Sequence, residues 1–360
     1  VSLTEGITDP AFYRVEKVSR KTKNDGAWMN FPSVSLFSST ANADLSKFFK
    51  KLGCESSTNA YSITGSTPLV DSLMSVRSGI YGDQQPADGL RDLSARKGSM
   101  WLYENKYTLP VAFMLPGDVE GNWLLDSGNP AVVQNDLCNV LGTRDVLVSN
   151  EGAAEGKKFT FTSEENGQYY VYVTNKKVEK VTAAMGEKSK TFDNVDRGYF
   201  LELGYLVRGT EVELRCEDDG NPTLQAEVWR FDTEAFKEFY EKMDQNPVKL
   251  SRWTDTQLSG TIHADIAGTM YTSIPYDKGW KLTVDGVETE TRSIFDTFVA
   301  ADLSEGDHEI TLTYEPEGLK TGAMITGVSL AVFAGGALFT DVNEKNKKKI
   351  GKNRKNNRKM

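Results

Sequence analysis

Apolar and polar positions change period twice along the chain. Up to about residue 150 the pattern is mixed. YRVEKV (13–18) alternates like a strand. Asn42 then stands ahead of Leu45, Phe48, Phe49 and Leu52, spaced i, i+3, i+4, i+7, which predicts a capped helix stopped by Gly53. Thr67-Pro68 predicts a second start, a cap followed by proline at the first helical position, with Leu69, Leu73 and Met74 facing inward and VRSGIYG following as a strand. Asn129-Pro130 repeats the device, and Gly142 closes the helix it opens. Between these, 100–115 (MWLYENKYTLPVAFML) reads as two short strands.

From 151 the period becomes two. KFTFTSEENGQYYVYVTN alternates around Asn166-Gly167, a hairpin signal, and YFLELGYLV, TEVELRCEDD and LQAEVWRFD continue it. Asp232 caps one helix (232–245) with Ala235, Phe236, Phe239, Tyr240 and Met243 on one stripe. The β pattern then resumes from Leu258, with Asp285-Gly286 as a two-residue hairpin turn. The expected fold class is α+β: a mixed α/β domain (1–150), then one continuous antiparallel, jelly-roll-like β-sandwich region (151–318) interrupted by that helix.

The third pattern is 321–340, TGAMITGVSLAVFAGGALFT, twenty residues without a charge. At ~1.5 Å per residue such a helix is ~30 Å long, the thickness of a bilayer's hydrocarbon. Glycine is costly in soluble helices and common in membrane ones, so Gly322, Gly327, Gly335 and Gly336 favour a span at 319–341 that packs against further helices. Nine Lys or Arg follow within 345–359, which places the tail 342–360 on the cytoplasmic side against anionic lipid and everything before the span outside the cell.

Charge sharpens this picture. The part from Asp341 on holds nine of the 42 basic residues and two of the 51 acidic ones, leaving 33 basic against 49 acidic in the rest. So acidic an ectodomain argues against a nucleic-acid partner. Three cysteines (Cys54, Cys138, Cys216) have no metal-ligand spacing, and an odd number cannot all pair internally. A surface protein that does without disulfides suits a Gram-positive bacterium. No charged and apolar leader follows Val1, so the expected whole is a longer protein whose C-terminal part is this chain.

Catalytic motifs are lacking: no G-x-S-x-G, no Gly-rich phosphate loop, no H-E-x-x-H. His263 and His308 both fall in expected strands and read as half-exposed strand residues, not ligands or bases. With 51 acids a carboxylate pair has no diagnostic value for glycoside hydrolysis. The run Glu217-Asp218-Asp219-Gly220-Asn221 reads as a solvated hairpin turn, because a calcium loop needs twelve-residue spacing and a closing Glu. No catalytic or metal residue is assigned. The candidates for carbohydrate contact are aromatic: Trp101 with Tyr103, and Tyr276 with Trp280, whose ring faces can cover the C–H side of a sugar.

Several stretches in order, PLVDSLMSVRSGIY, LYENKYTLPVAFML, NPAVVQNDL, YDKGWKLTVDG and GDHEITLTYEPEGLKTG, ending in an apolar helix and a basic tail, resemble the C-terminal part of the YfhO family of bacterial multi-spanning membrane proteins. That family looks like GT-C-type glycosyltransferases. The resemblance implies a parent protein that takes sugar from a polyprenyl-phosphate carrier and adds it to a cell-surface glycopolymer such as teichoic acid. It also implies a missing N-terminal membrane domain that holds the catalytic acid. This chain is then expected to be non-catalytic, with no cofactor of its own, and to position the acceptor or brace the membrane domain. The alternative is a single-pass surface module that binds glycans or mediates adhesion.

Overall fold

The computed structural model describes residues 12–82, 85–220 and 222–356. It consists of two units, Val1–Thr313 and Tyr314–Met360.

In the first unit a layer of helices packs between two β-sandwiches. The capping signals account for the helices. The Asn42 carbonyl accepts from the backbone N–H groups of Asp44 (2.9 Å) and Leu45 (3.0 Å), opening Ala43–Lys51. Thr67 caps Pro68–Leu73, Asn129 caps Pro130–Val140, and Asp232 caps Thr233–Met243. Their apolar stripes (Phe48, Phe49, Leu69, Leu73, Val133, Leu137, Phe236, Phe239) merge into one core. Gly53 ends its helix at φ +83°, and a Cβ there would meet the Phe200 ring at 2.4 Å, so only glycine lets helix and sandwich close up.

The first sandwich faces a five-stranded sheet against a four-stranded one. The first runs Gly152–Glu155, Lys158–Thr162, Glu211–Cys216, Lys180–Met185, Lys188–Asp193; the second runs Leu201–Leu206, Gly167–Val173, Ala226–Phe231, Leu147–Asn150. In the second sandwich, Lys249–Thr254, Gln257–Ala264, Gly306–Tyr314, Trp280–Val284 and Val287–Thr289 face Arg292–Ile294, Phe298–Leu303, Gly268–Pro275 and Ala112–Met114. The strands that border the helical layer are buried on both faces. In Gly167–Val173 all seven residues are buried: Tyr169, Val171 and Val173 enter the sandwich core, Tyr170 and Tyr172 the helical one. Phe298–Leu303 divides its residues the same way.

A fifth sheet carries the site described below. Its order is Arg14–Lys17, Val76–Tyr81, Met100–Asn105, Arg91–Lys97, with the first pair parallel and the others antiparallel.

Four expectations change. The β region is not one continuous sandwich: its strands close around two separate cores, and Ala112–Met114, from the early part of the chain, joins the second. Asn166-Gly167 is not a hairpin turn. Lys158–Thr162 and Gly167–Val173 each pair with other strands, so the segment crosses from one sheet to the other, and the Asn166 carbonyl accepts from the Arg208 N–H (2.8 Å) instead. The acidic run is likewise a crossing between sheets: Asp218 accepts from the Glu179 and Lys180 N–H groups (2.6 and 3.2 Å), while Asn221 lies outside the described residues. Finally, His308 is buried, not half-exposed. Its Nδ1 bonds Asp285 (2.7 Å) and its Nε2 the Ser304 carbonyl (2.9 Å); His263 is exposed. The Asp285-Gly286 hairpin does form, with both residues at positive φ.

The second unit contains the helix Leu319–Asn356, 38 residues long. Its apolar window has a mean hydropathy of 1.8 and nothing buried against protein. Val332, Phe333 and Phe339 are each more than two-thirds exposed. The helix runs on past Asp341, so the basic residues through Lys355 sit on helix, and Arg358 and Lys359 lie outside the described residues.

Candidate functional site

A cleft of about 580 Å³ opens where the fifth sheet meets the C-terminal end of Thr233–Met243. Three chain regions line it: Tyr13, just ahead of Arg14–Lys17, with Arg77 from the strand paired to it; Asp92 and 104–111 beside them, 107 excepted; and Tyr240, Asp244, Pro247, Val248 and Leu250 opposite.

Local structure fixes each side chain. Asp92 and Glu104 are direct cross-strand partners, so their side chains leave the sheet on one face, about 5 Å apart at Cβ. Like charges so placed repel unless neutralised. Both are: Arg77 Nε donates to Glu104 (2.6 Å), and the Lys106 ammonium pairs with Asp92 (2.9 Å). Arg77 also lies over the Tyr13 ring, 5.8 Å from its centroid, which turns that ring into the wall of the cleft. Opposite, Asp244 ends its helix and accepts from the Tyr240 hydroxyl (2.9 Å). Partial burial pushes the Asp244 carboxyl above its usual range. Burial and the neighbouring carboxylate raise Tyr240 as well.

Chemically the cleft offers hydroxyl acceptors, hydroxyl donors and two aromatic faces. It does not resemble a glycosidase pair. Asp92 is 72% exposed and salt-bridged, and Glu104 is held by a guanidinium, so neither sits in the apolar pocket that keeps a general acid protonated. Among the described residues no group of three or more His, Cys, Asp or Glu could hold a metal ion. The three cysteines are buried and free, and burial pushes the Cys54 thiol far up.

The four aromatics picked from the sequence are half-buried and lie outside this cleft. Arg96 covers the Trp101 ring at 4.9 Å, and Tyr103 sets its edge on Tyr81 and donates to Gln85 (2.9 Å). Tyr276 and Trp280 pack on the second sandwich core. The two pairs belong to different sheets, and no single site collects them. Among the described residues the most exposed aromatic is Trp28, at 85%. Sequence reasoning missed Tyr13, Tyr240 and Asp244. Asp244 carried one signal: a carboxylate at the end of a helix, where the dipole disfavours it.

The profile of a family described as "Bacterial membrane protein YfhO" matches residues 2–151 and 143–326. The chain belongs to the YfhO family. Its match thus runs through the folded body and into the apolar helix, the part of the chain that fits a lipid bilayer. A relative in Bacillus subtilis (strain 168), described as "Uncharacterized protein YfhO", is 34% identical over 194 residues, which are 52% of this chain and 20% of that protein. The chain therefore spans about a fifth of that relative. Among solved structures, the arabinofuranosyltransferase AftD from Mycobacteria is 12% identical, covering 49% of this chain and 14% of that one at a TM-score of 0.20. A cupin 2 conserved barrel domain protein from Leptotrichia buccalis is 15% identical, covering 47% and 89% at 0.13. TM-scores this low bear on neither fold nor function.

Proposed function

We propose that this chain is the extracellular, non-catalytic part of a membrane glycosyltransferase. The whole protein moves a sugar from a polyprenyl-phosphate carrier to a cell-surface glycopolymer of the teichoic-acid type, in a Gram-positive envelope. The observation that carries the reading is the family match, continuous from the folded body into the apolar helix. The transferase activity itself follows from the likeness of that family to GT-C enzymes. The catalytic acid and the donor site belong to membrane helices outside this chain, and the basic residues after the span face the cytoplasm.

Such a division makes physical sense. A lipid-linked donor keeps its reactive phosphate at the membrane surface. A folded body joined to the last helix holds the acceptor there, and holding a reactant turns a bimolecular encounter into a local one. The cleft is the place where an acceptor would be held; the other role open to the body is to brace the membrane domain.

The test is genetic and chemical together. A strain lacking the full-length protein should lose sugar substituents from its surface polymer. A version of the protein without residues 12–313 should fail to restore them. The purified chain in nanodiscs should neither transfer nor hydrolyse glycosyl groups. Transfer by the isolated chain, or full decoration in the deleted strain, refutes the reading.

A further inference from the structure

We propose that the cleft beside Tyr13, Tyr240 and Asp244 binds uncharged saccharide units and offers no subsite to a phosphate. The inference rests on the proposed function and narrows it: of the acceptor polymer, this site reads sugar units, not phosphates.

Charge decides first. The cleft brings together three carboxylates (Asp92, Glu104, Asp244) and two cations (Arg77, Lys106). Each cation already holds a carboxylate, at 2.6 and 2.9 Å. A phosphate would have to share cations that already neutralise carboxylates and would face the third carboxylate. The negative end of a helix dipole lies at the same wall, since Asp244 is the residue that ends Thr233–Met243.

The remaining chemistry suits hydroxyls on an apolar ring. A carboxylate accepts from several hydroxyls at once, and bonds to an ionised acceptor are the stronger kind. Asp244 receives the Tyr240 hydroxyl on Oδ2. Among the described residues its other oxygen takes no hydrogen bond and pairs with no cation. Tyr13 and Tyr240 supply rigid faces for the C–H side of a pyranose. Pro110, Pro247 and Leu250 continue the apolar surface between them. At about 580 Å³ the space lies within the ordinary range of ligand sites, ~300–1,000 Å³.

The test uses the whole chain in phosphatidylcholine nanodiscs. Saturation-transfer NMR and calorimetry would compare cellotetraose and chitotetraose with a glycerol-phosphate oligomer. At least one tetrasaccharide should bind. Asp244→Asn and Tyr13→Ala should each weaken it tenfold or more, while Glu187→Gln, on an exposed turn of the first sandwich, should leave it unchanged. The anionic oligomer should neither bind nor compete. Circular dichroism separates lost binding from lost folding; should Tyr13→Ala misfold, the near-isosteric Asp244→Asn decides. Three results overturn the inference: no binding of either tetrasaccharide, binding that survives both variants, or tighter binding of the anionic oligomer that disappears in Lys106→Ala. A further arm separates the two claims. If Asp244→Asn abolishes binding but the full-length variant still decorates the surface polymer, the cleft stands as a saccharide site and acceptor positioning falls. If neither sugar binds while removal of 12–313 stops decoration, the proposed function stands and this inference falls.

Discussion

Arg91 offers the most demanding prediction about how the cleft is held. It opens the strand Arg91–Lys97, one position before Asp92. Its side chain is only 11% exposed and lies between Asp71 and Asp88, 8% and 4% exposed. One guanidinium nitrogen pairs with Asp71 at 3.1 Å, the other with Asp88. Ser66 also donates to Asp71 (2.7 Å). Burial pushes the Asp71 carboxyl up, and Arg91 is the strongest influence opposing that push. Arg91→Met therefore leaves two carboxylates buried without their cation. Removing one partner of a buried pair costs ~3–5 kcal/mol. The pH dependence identifies the cause. Without Arg91 the folded-state pKa of Asp71 rises further above its unfolded value, ~3.9, so the folded variant binds more protons than the unfolded chain. That contribution is present at low pH and is lost as pH rises through the folded pKa. The deficit against the unmodified chain should be several kcal/mol at pH 7 and clearly smaller at pH 4.5. Guanidinium unfolding in one detergent, followed by tryptophan fluorescence at both pH values, measures it. Adding Asp71→Asn should recover part of the loss at pH 7. A deficit below ~1 kcal/mol, or one independent of pH, refutes the buried-pair account.

Other consequences are simpler to check. Asp232→Ala removes bonds to the Glu234 and Ala235 N–H groups (both 3.0 Å) and should cost ~1 kcal/mol of unfolding free energy, while Asp232→Asn should cost much less; equal losses would show that the cap is not the cause. Phe295 and Asp296 form a tight turn at φ 52° and 54°, a conformation that L residues with a Cβ dislike, so the exposed Asp296→Gly should raise stability by ~0.5–1 kcal/mol; a lower denaturation midpoint contradicts this. The His308 imidazole is raised by its bond to Asp285, so its stabilisation is complete below pH ~6.5 and lost as pH rises through the folded value. Asp285→Asn should accordingly cost more at pH 6 than at pH 9, and an equal cost at both would refute it. The chain reconstituted in liposomes should stay with the membrane in alkaline carbonate; release into the supernatant would mean that Leu319–Asn356 does not span.

Local signals were legible in the sequence and pairing was not. All four capped helices form where Asn42, Thr67, Asn129 and Asp232 announce them, because a cap is a contact within three residues. Asp285-Gly286 closes a hairpin for the same reason. Asn166-Gly167 carries an equal signal and does not, because strands of both sheets alternate alike and a crossing needs a turn too. Burial on both faces explains the apparent single β region: Gly167–Val173 is apolar or aromatic at most positions whichever core it serves. His308 looked half-exposed because its strand alternates; the Asp285 carboxylate that bonds it comes from a hairpin turn 23 residues away. The cleft was invisible for the same reason of distance. Tyr13, Glu104 and Asp244 meet only because the fifth sheet and the Thr233–Met243 helix share one seam. The half-buried Trp101 and Trp280, expected to offer ring faces to a sugar, serve ring contacts and a core, while Trp28 stands in solvent.

The character of the cleft bears on how a positioning body would work. An acceptor polymer has to be held near the donor and then advance. A site that gripped each unit tightly would stop that advance. An open, hydroxyl-binding groove holds one saccharide weakly, on the order of millimolar or about −4 kcal/mol. Weak binding suffices when the ligand is a chain, because many equivalent units lie within reach of one site and the effective concentration at the surface is itself about millimolar. Precision then has to come from the walls. Arg91 locks the strand that bears Asp92, Arg77 fixes Tyr13 and Glu104, and the Asp232 cap secures the helix that ends at Asp244. A rigid frame around a weak contact is the arrangement expected of a guide for a moving polymer, and a poor one for a receptor that must retain its ligand.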